Sequence, residues 1–110
     1  MAKYERFDIH GSFDSLKEQI YHHILHGSLS ASIEDSSDFH SGSARCCVMV
    51  FERYSMMGSN RVSLNVTLFQ SEPDAPIALS AITSGGSQAL LWKINTIGEE
   101  AFLEKLREII

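Results

Sequence analysis

The first quarter of the chain has the pattern of a short strand followed by an amphipathic helix. Residues 3–10 alternate loosely between apolar and polar side chains, which is typical of a strand. Over residues 13–26 the apolar side chains instead recur every three or four positions and form one stripe. Ser12 or Asp14 can accept hydrogen bonds from the first free amides, and Gly27 is suited to end the helix. The sequence therefore predicts a strand over 3–10 and a helix over 13–26.

A series of strands follows this helix. Strand patterns occupy residues 28–34, 44–54, 61–69, 77–83 and 89–95. The stretch EDSSDFHSGS at residues 34–43 is almost entirely polar and is expected to form a loop. Strands joined by short connections pair antiparallel with their chain neighbours, so we expect an antiparallel sheet of about five to six strands.

Residues 96–110 predict a second amphipathic helix. Thr96 and Glu99 have the spacing of a capping box, in which each side chain bonds to the backbone amide of the other. The apolar stripe of this helix consists of Phe102, Leu103, Leu106, Ile109 and Ile110. Stripe and cap together favour a helix that packs on the sheet.

The predicted elements combine into one α+β domain over residues 1–110, in the order β-α-β4/5-α. Such elements bury their apolar sides in a two-layer sandwich, with two helices on one face of the sheet. The covered face is expected to carry Leu29, Val62, Leu64 and Leu79, whose neighbours along each strand are polar.

The opposite, open face of the sheet has no predicted cover. It is expected to carry Arg61, Asn65 and Phe69. Residues 44–54 are apolar on both sides, so the pattern leaves open whether Cys46 or Cys47, and Val48 or Met49, belong to this face. A half-apolar open face indicates that something covers it: a second copy of the chain, the loop with Phe39, or a ligand.

Composition and charge narrow the class of protein. The chain is 44% hydrophobic and 21% charged, as expected for a globular domain, and its formal charge is -5 with only nine basic residues, which are scattered. A nucleic-acid partner is therefore not expected. No stretch approaches the roughly 18 apolar residues that a membrane span requires, and the start lacks the apolar segment of a signal peptide. We expect a cytoplasmic protein without a membrane partner.

Two groups of residues could bind metals or react, but simpler interpretations are favoured. His22, His23 and His26 lie close together on the first helix, yet a third ligand at metal-binding spacing is missing, and a solvated helix face is the preferred interpretation. Cys46 and Cys47 are adjacent, so they point to opposite faces of a strand and are expected to be reduced thiols. The sequence therefore predicts no catalytic residue, no bound metal and no cofactor.

Six residues are candidates for binding a small ligand. Arg53 and Arg61, beside Tyr54, could form a spot for an anion, although ion pairs with neighbouring acidic residues are the simpler interpretation. Gly85 and Gly86 could form a nest of backbone amides, although a turn that needs positive φ is favoured. Trp92 and Tyr54 would lie near a pocket between the sheet and the C-terminal helix.

Several runs along the chain are distinctive, namely SASIEDSSDF, CCVMVFERYS, GSNRVSLNVTL and LSAITSGGSQA, followed by KINTIGEEAFL. In these runs the chain resembles a family of small bacterial proteins of unknown function. The resemblance covers about Phe7 to Leu106 and implies a single domain, but no activity and no catalytic residue. The order of elements is also similar to TATA-binding-protein-like and helix-grip architectures, which host many functions.

The leading functional hypothesis is a non-enzymatic binding or assembly module that uses the open face, as a homodimer. It rests on Met49, Phe51 and Phe69, which would have no third layer to cover them. The alternative is a small-molecule-binding protein with an apolar pocket between the sheet and the C-terminal helix. A third hypothesis, an enzyme that uses the histidine cluster with a metal, has less support.

Overall fold

The fold consists of a five-stranded antiparallel sheet with one helix on one face, within the residues that the structure describes. That structure is a computed structural model, and it describes residues 2–26, 31–55 and 60–85. Its elements are β1 (Ala2–Ile9), α1 (Phe13–His26), β2 (Ala31–Ser41), β3 (Ala44–Ser55), β4 (Asn60–Gln70) and β5 (Ile77–Ser84). The strands lie in the order β1-β5-β4-β3-β2. All neighbouring strands are antiparallel.

The predicted α+β class and the antiparallel sheet are confirmed, whereas the predicted order of elements is not. The described elements run β-α-β-β-β-β, with one helix instead of two. The predicted strand at 89–95 and the second predicted helix at 96–110 lie outside the described residues. No helix in the described ranges is long and apolar enough to cross a membrane.

Helix α1 begins where the sequence predicts, and Ser12 caps it. The Ser12 hydroxyl oxygen accepts a hydrogen bond from the backbone N of Ser15 at 3.2 Å, and its carbonyl accepts one from Leu16 at 3.1 Å. These bonds satisfy amide groups that the first turn of a helix leaves free. The cap is therefore Ser12 and not Asp14.

The core forms between α1 and the face of the sheet that it covers, here called the helix face. The stripe of α1 buries Phe13, Leu16, Ile20 and Ile24. Alternate residues of the strands complete this core, namely Ile9, Cys47, Met49, Phe51, Leu64, Val66, Leu68, Ile77, Leu79 and Ala81. The predicted inward positions Val62, Leu64 and Leu79 are all buried, while Leu29 lies outside the described residues. Removal of this apolar surface from water is the main stabilising contribution to the fold.

Two residues that the binding hypothesis used belong to this core. Met49 is 1% exposed and Phe51 is not exposed at all, and the Phe51 ring packs against Tyr21 of α1 with ring centres 6.5 Å apart. Phe51 pairs with Leu64, so the two side chains share the helix face. The prediction that Met49 and Phe51 lack a covering layer is therefore wrong.

The predicted loop at residues 34–43 is also wrong, because most of it is strand. β2 continues to Ser41, and a two-residue turn of Gly42 and Ser43 joins it to β3. Gly42 has a φ of +59°, the left-handed conformation that such tight hairpin turns require at their first position. β2 is an edge strand that is exposed on both sides beyond Ile33, so its side chains carry no apolar alternation.

The connection between β4 and β5 is held by a buried side chain. Gln70 is 5% exposed, and its amide nitrogen donates to the carbonyl oxygens of Pro73 at 3.2 Å and Ala75 at 3.0 Å. The backbone N of Ala75 in turn donates to Glu72 O at 3.0 Å. The Gln70 side chain therefore satisfies two carbonyl groups of the connection between β4 and β5, in which Pro73 and Pro76 have no backbone N–H to donate.

Candidate functional site

The open face of the sheet, opposite α1, carries the exposed apolar surface of the described chain. Four large hydrophobic side chains are exposed there: Phe7 at 64%, Phe39 at 57%, Phe69 at 46% and Ile82 at 38%. The strand registers place Phe39, Phe69 and Ile82 on this face, because the residues before and after each of them along the strand align with the helix face. Phe7 follows Arg6, which also aligns with the helix face. No large exposed hydrophobic side chain is recorded on the helix face within the described residues.

Three of these side chains form one row across the sheet, here called the aromatic row. Phe39 pairs with Cys46, Cys46 with Phe69, and Phe69 with Ala78. Phe7 follows Arg6, whose partner is Leu79, and lies in the bulge between Arg6 and Ile9, where two residues of β1 face Ala78. The row therefore reads Phe39, Cys46, Phe69, Ala78, Phe7, with a large residue on every second strand.

The spacing of the row follows from sheet geometry. Adjacent strands lie about 4.8 Å apart, so the phenylalanines are separated by roughly 9.6 Å. The small side chains Cys46 and Ala78 leave a gap between successive rings. An aromatic side chain from another surface could fill such a gap, because the rings of a pair prefer offset or edge contacts over direct stacking.

Away from the aromatic row, the open face becomes gradually more polar. Val48 and Val50 of β3 are half-buried and lie beside Thr67 and Asn65 of β4. The Thr67 hydroxyl donates to the Asn65 side-chain oxygen at 3.0 Å, so these polar groups satisfy each other. The next row toward the ends of β3 and β4 carries charge.

The open face carries two ion pairs and, on β2, the carboxylate of Asp35, which aligns with Val50. Glu52 of β3 forms an ion pair with Arg61 of β4. Lys3 and Glu5 of β1 form another, with 3.2 Å between Lys3 Nζ and Glu5 Oε1. Exposed pairs of this kind contribute at most about 1 kcal/mol to stability, so their main effect is on the charge pattern of the surface.

The structure does not bring the predicted anion-binding residues together. Arg53 pairs with Val62, a core residue of the helix face, whereas Arg61 lies one position along β4 and on the open face. The two arginines therefore belong to opposite faces, and Arg61 already has Glu52 as its partner. The backbone of Tyr54 pairs with that of Arg61. Ligand binding by these residues stays a prediction without a shared site.

Of the two predicted nest glycines, the structure describes Gly85. It follows β5 directly and has a φ of +111°, which agrees with the interpretation as a turn residue that needs positive φ. A Cβ atom there would lie 2.6 Å from the carbonyl oxygen of Arg61, so the backbone of β4 approaches Gly85 closely. Gly86, Trp92 and the predicted pocket near Trp92 lie outside the described residues.

The histidines of α1 are exposed, and His22 contacts both the His26 ring and the Glu18 carboxylate. His22 and His26 stack with ring centres 5.7 Å apart, and His22 Nε2 lies 3.2 Å from Glu18 Oε2. Within the described ranges, no three His, Cys, Asp or Glu side chains come together in a way that could hold a metal ion.

A network of ion pairs fixes the start of α1 to the hairpin of β2 and β3. Lys17 pairs with Asp38, and Arg45 Nη2 lies 2.8 Å from Asp14 Oδ1 while its guanidinium covers the Phe13 ring at 4.4 Å. The bond to Arg45 lowers the pKa of Asp14, and the bond to Asp38 raises the pKa of Lys17. The pairs are partly solvated, so we interpret the network as a structural tie between helix and hairpin.

One open depression lies beside this network, at the tip of the hairpin. It has a volume of about 270 Å³ and is lined by Asp38, Phe39, His40, Gly42, Ser43, Arg45 and Pro73. The depression is open to solvent and its lining mixes apolar with charged side chains, unlike the enclosed, mostly apolar pockets that usually bury a small-molecule ligand. The open face is therefore the stronger candidate for a functional surface.

The two cysteines lie in different environments. Cys46 is half-buried in the aromatic row, whereas Cys47 is fully buried in the core. Burial, and then the nearby Asp38 carboxylate, raises the pKa of Cys47 to about 11 from an ordinary value of 9.0. The thiol must therefore stay protonated in the folded protein at neutral pH, as expected for a core residue.

The raised pKa predicts a loss of stability in alkaline solution. Between pH 9 and 11 the unfolded chain releases the Cys47 proton while the folded chain keeps it, so the free energy of unfolding falls as pH rises. A shift of this size corresponds to at most about 2 to 3 kcal/mol. Urea unfolding at a series of pH values measures the fall, and the Cys47→Ala variant should largely lose it while Cys46→Ala keeps most of it. Equal pH dependence in wild type and Cys47→Ala would contradict the assignment.

Sequence patterns alone did not identify most of the aromatic row. The pattern assigns only Phe69 to the open face, places Phe7 in a strand without a face, and places Phe39 in a loop that could pack on the sheet. The missing signal was the register, because the two-residue turn at Gly42 and Ser43 sets Phe39 opposite Cys46. Once that register is known, alternation along each strand places the remaining residues.

Comparison with known proteins gives a family but no activity. Neither the curated proteins nor the solved structures contain a match to this chain. A family model described as a family of unknown function, DUF6054, matches residues 1–110. The chain therefore belongs to the DUF6054 family.

Proposed function

We propose that this protein is a non-enzymatic binding or assembly module that acts through the open face of its sheet, as a homodimer. The observation that carries the proposal is the gathering of Phe7, Phe39, Phe69 and Ile82 on one face, each at least 38% exposed. Single exposed hydrophobic residues are ordinary, but a contiguous apolar patch indicates an interaction surface.

The area of the open face suits a protein partner. Five strands about 4.8 Å wide and about eight residues long give a face of roughly 24 by 26 Å. Covering it with a second copy would bury on the order of 1,200 Å² in total, which is at the lower limit of specific interfaces. A small ligand would leave most of that surface in water.

The chemistry of the face also favours binding over catalysis. On this face the inner strands β3, β4 and β5 carry mainly aromatic, aliphatic, hydroxyl and amide side chains. The charges lie on the outer strands, at Lys3, Glu5 and Asp35, and at the far ends of β3 and β4, at Glu52 and Arg61. An apolar centre with charges at the rim is the usual composition of a protein interface.

The test is the oligomeric state in solution, measured by size-exclusion chromatography with light scattering from low to high micromolar concentration. We expect a dimer at the upper end. Replacing Phe69 with serine should raise the dissociation constant by about 30-fold or more, as expected for a central aromatic residue of an interface.

The matched control is His23→Ser, which changes an exposed residue on α1, away from the open face. It should leave the dissociation constant unchanged. Circular dichroism should show that both variants keep the fold. A wild-type protein that stays monomeric at high micromolar concentration would contradict the proposal, as would a dimer that Phe69→Ser and His23→Ser weaken equally.

A further inference from the structure

The aromatic row has a shape that is complementary to itself. Large and small side chains alternate along it, so each phenylalanine lies one strand away from a gap over Cys46 or Ala78. A second copy of the row can interlock with the first when it is displaced by one strand. Interfaces reach the packing density of protein interiors when projections meet gaps in this way.

We propose that two copies pack open face against open face about a two-fold axis that runs parallel to the strands, between β3 and β4. This inference rests on the proposed function and adds the register of the dimer. The axis exchanges β3 with β4 and β2 with β5. Phe69 of each copy then enters the gap over the partner's Cys46, and Phe39 lies over the partner's Ala78.

The geometry of packed sheets allows this arrangement. Two aligned sheets lie about 10 Å apart, with side chains of the inner faces interdigitating, and their strands cross at roughly 30° because of sheet twist. A two-fold axis parallel to the strands keeps each row opposite the same row of the partner. Four strands of each copy overlap, which buries about 1,000 Å² in total, the least that a specific interface needs and typical of a weak dimer.

Other positions of the axis fit less well. An axis along β4 would place Phe69 against the partner's Phe69, and an axis along β3 would place it against the partner's Phe39, so large residues would meet while the gaps stayed empty. An axis between β4 and β5 also interlocks the row. It would, however, press the apolar Val48 and Val50 against Glu5 and Lys3 of the partner, which costs desolvation of two charges. The axis between β3 and β4 brings one charge, Asp35, toward the partner's Ile82.

The charges favour the axis between β3 and β4, because Lys3 and Glu5 of β1 then stay outside the overlap of the two faces and keep their water. The Glu52–Arg61 pair does not select the register. It lies roughly 20 Å along the strands from the aromatic row, where strands that cross at about 30° are displaced by about two strand widths.

The experiment exchanges the large and the small residue of the contact in the full-length chain. Cys46→Phe alone places a ring against the partner's Phe69, and Phe69→Cys alone leaves its gap empty, so each should raise the dissociation constant about 10-fold or more. In the double variant C46F/F69C, the phenylalanine now at position 46 faces the cysteine now at position 69 of the partner, so a large residue again meets a small one. It should return to within about threefold of wild type.

A second exchange distinguishes the competing axis. The double variant F69A/A78F would restore the contact only if the axis lay between β4 and β5. With the axis between β3 and β4, its new phenylalanine meets the partner's Phe39, and the variant should stay monomeric. Cross-strand aromatic pairs are tolerated within a sheet, and thermal melts of each variant monitor the fold.

The outcomes separate the register from the proposed function. Rescue by C46F/F69C, without rescue by F69A/A78F, supports the axis between β3 and β4. A wild-type dimer that Phe69→Cys weakens but that C46F/F69C does not rescue overturns this register and leaves the proposed function standing. A monomeric wild type overturns both, and protection of Phe69 from solvent in that monomer would assign the open face to the chain's own residues 86–110.

Discussion

Replacing Phe51 with alanine lowers the free energy of unfolding by about 3 to 5 kcal/mol, the cost expected for removing a buried phenylalanine side chain. Phe51 is fully buried on the helix face, where it pairs with Leu64 and packs against the Tyr21 ring. Its removal takes apolar contacts from both layers and leaves a cavity that the sheet cannot close. Urea unfolding followed by circular dichroism measures the change.

The matched control is Phe7→Ala, the same substitution on the open face. Phe7 is 64% exposed, so only a minority of its surface leaves water on folding, and the expected cost is below about 1 kcal/mol. Phe51→Leu provides a milder core change, should Phe51→Ala be too unstable to measure in a domain with about 5 to 15 kcal/mol of stability. Similar costs for Phe7→Ala and Phe51→Ala would mean that the faces of the sheet are assigned wrongly.

The elements that were predicted well from the sequence are those with one side buried in the core and the other side exposed to solvent. α1 has a complete stripe, a serine cap and polar residues on its far side, so its start and its end at His26 were both predicted. β4 alternates strictly between buried and partly exposed residues, and its inward side was predicted correctly. In both elements the order of apolar and polar residues along the chain shows directly which side is buried.

The extent of β2 and the inward face of β3 were more difficult to predict from the sequence, for opposite reasons. β3 is apolar on both sides, so alternation divides it into two faces without indicating which one meets the core. The pairing of Phe51 with Leu64 decides that question, and it depends on the register with β4. Beyond Ile33, β2 is exposed on both sides and is held by its backbone pairing with β3. The pattern of apolar and polar side chains gives no sign of such backbone pairing.

The aromatic row could not be predicted from local pattern because its members are distant in the chain. Phe7, Phe39 and Phe69 come from three different strands, and only the strand order β1-β5-β4-β3-β2 aligns them. The turn sets the face of Phe39, and the bulge at Glu34, where the register of β2 shifts, then lets Ile33 align with the helix face. Without the extra residue in β2, Ile33 and Phe39 would share a face, since residues an even number of positions apart in a strand point to the same side.

Replacing Gly85 with alanine is the second change with a large expected effect, about 3 kcal/mol or more of lost stability. Two costs combine at this position. The φ of +111° is a conformation that residues with a Cβ rarely adopt, and such strain costs about 1 to 3 kcal/mol. In addition, the new Cβ would lie 2.6 Å from the Arg61 carbonyl oxygen and 3.1 Å from the Val62 Cα, so the ends of β4 and β5 must move apart.

Gly42→Ala separates these two costs, because Gly42 also has a positive φ but nothing within 4 Å of an added Cβ. Its replacement should cost only about 1 to 2 kcal/mol, the strain of a left-handed residue, and Gly42→Asn should cost less because asparagine tolerates that conformation. Thermal unfolding of the three variants gives the comparison. If Gly85→Ala and Gly42→Ala shifted the midpoint equally, the close approach of β4 to Gly85 would be disproved, and Gly85 would need its glycine for backbone conformation alone.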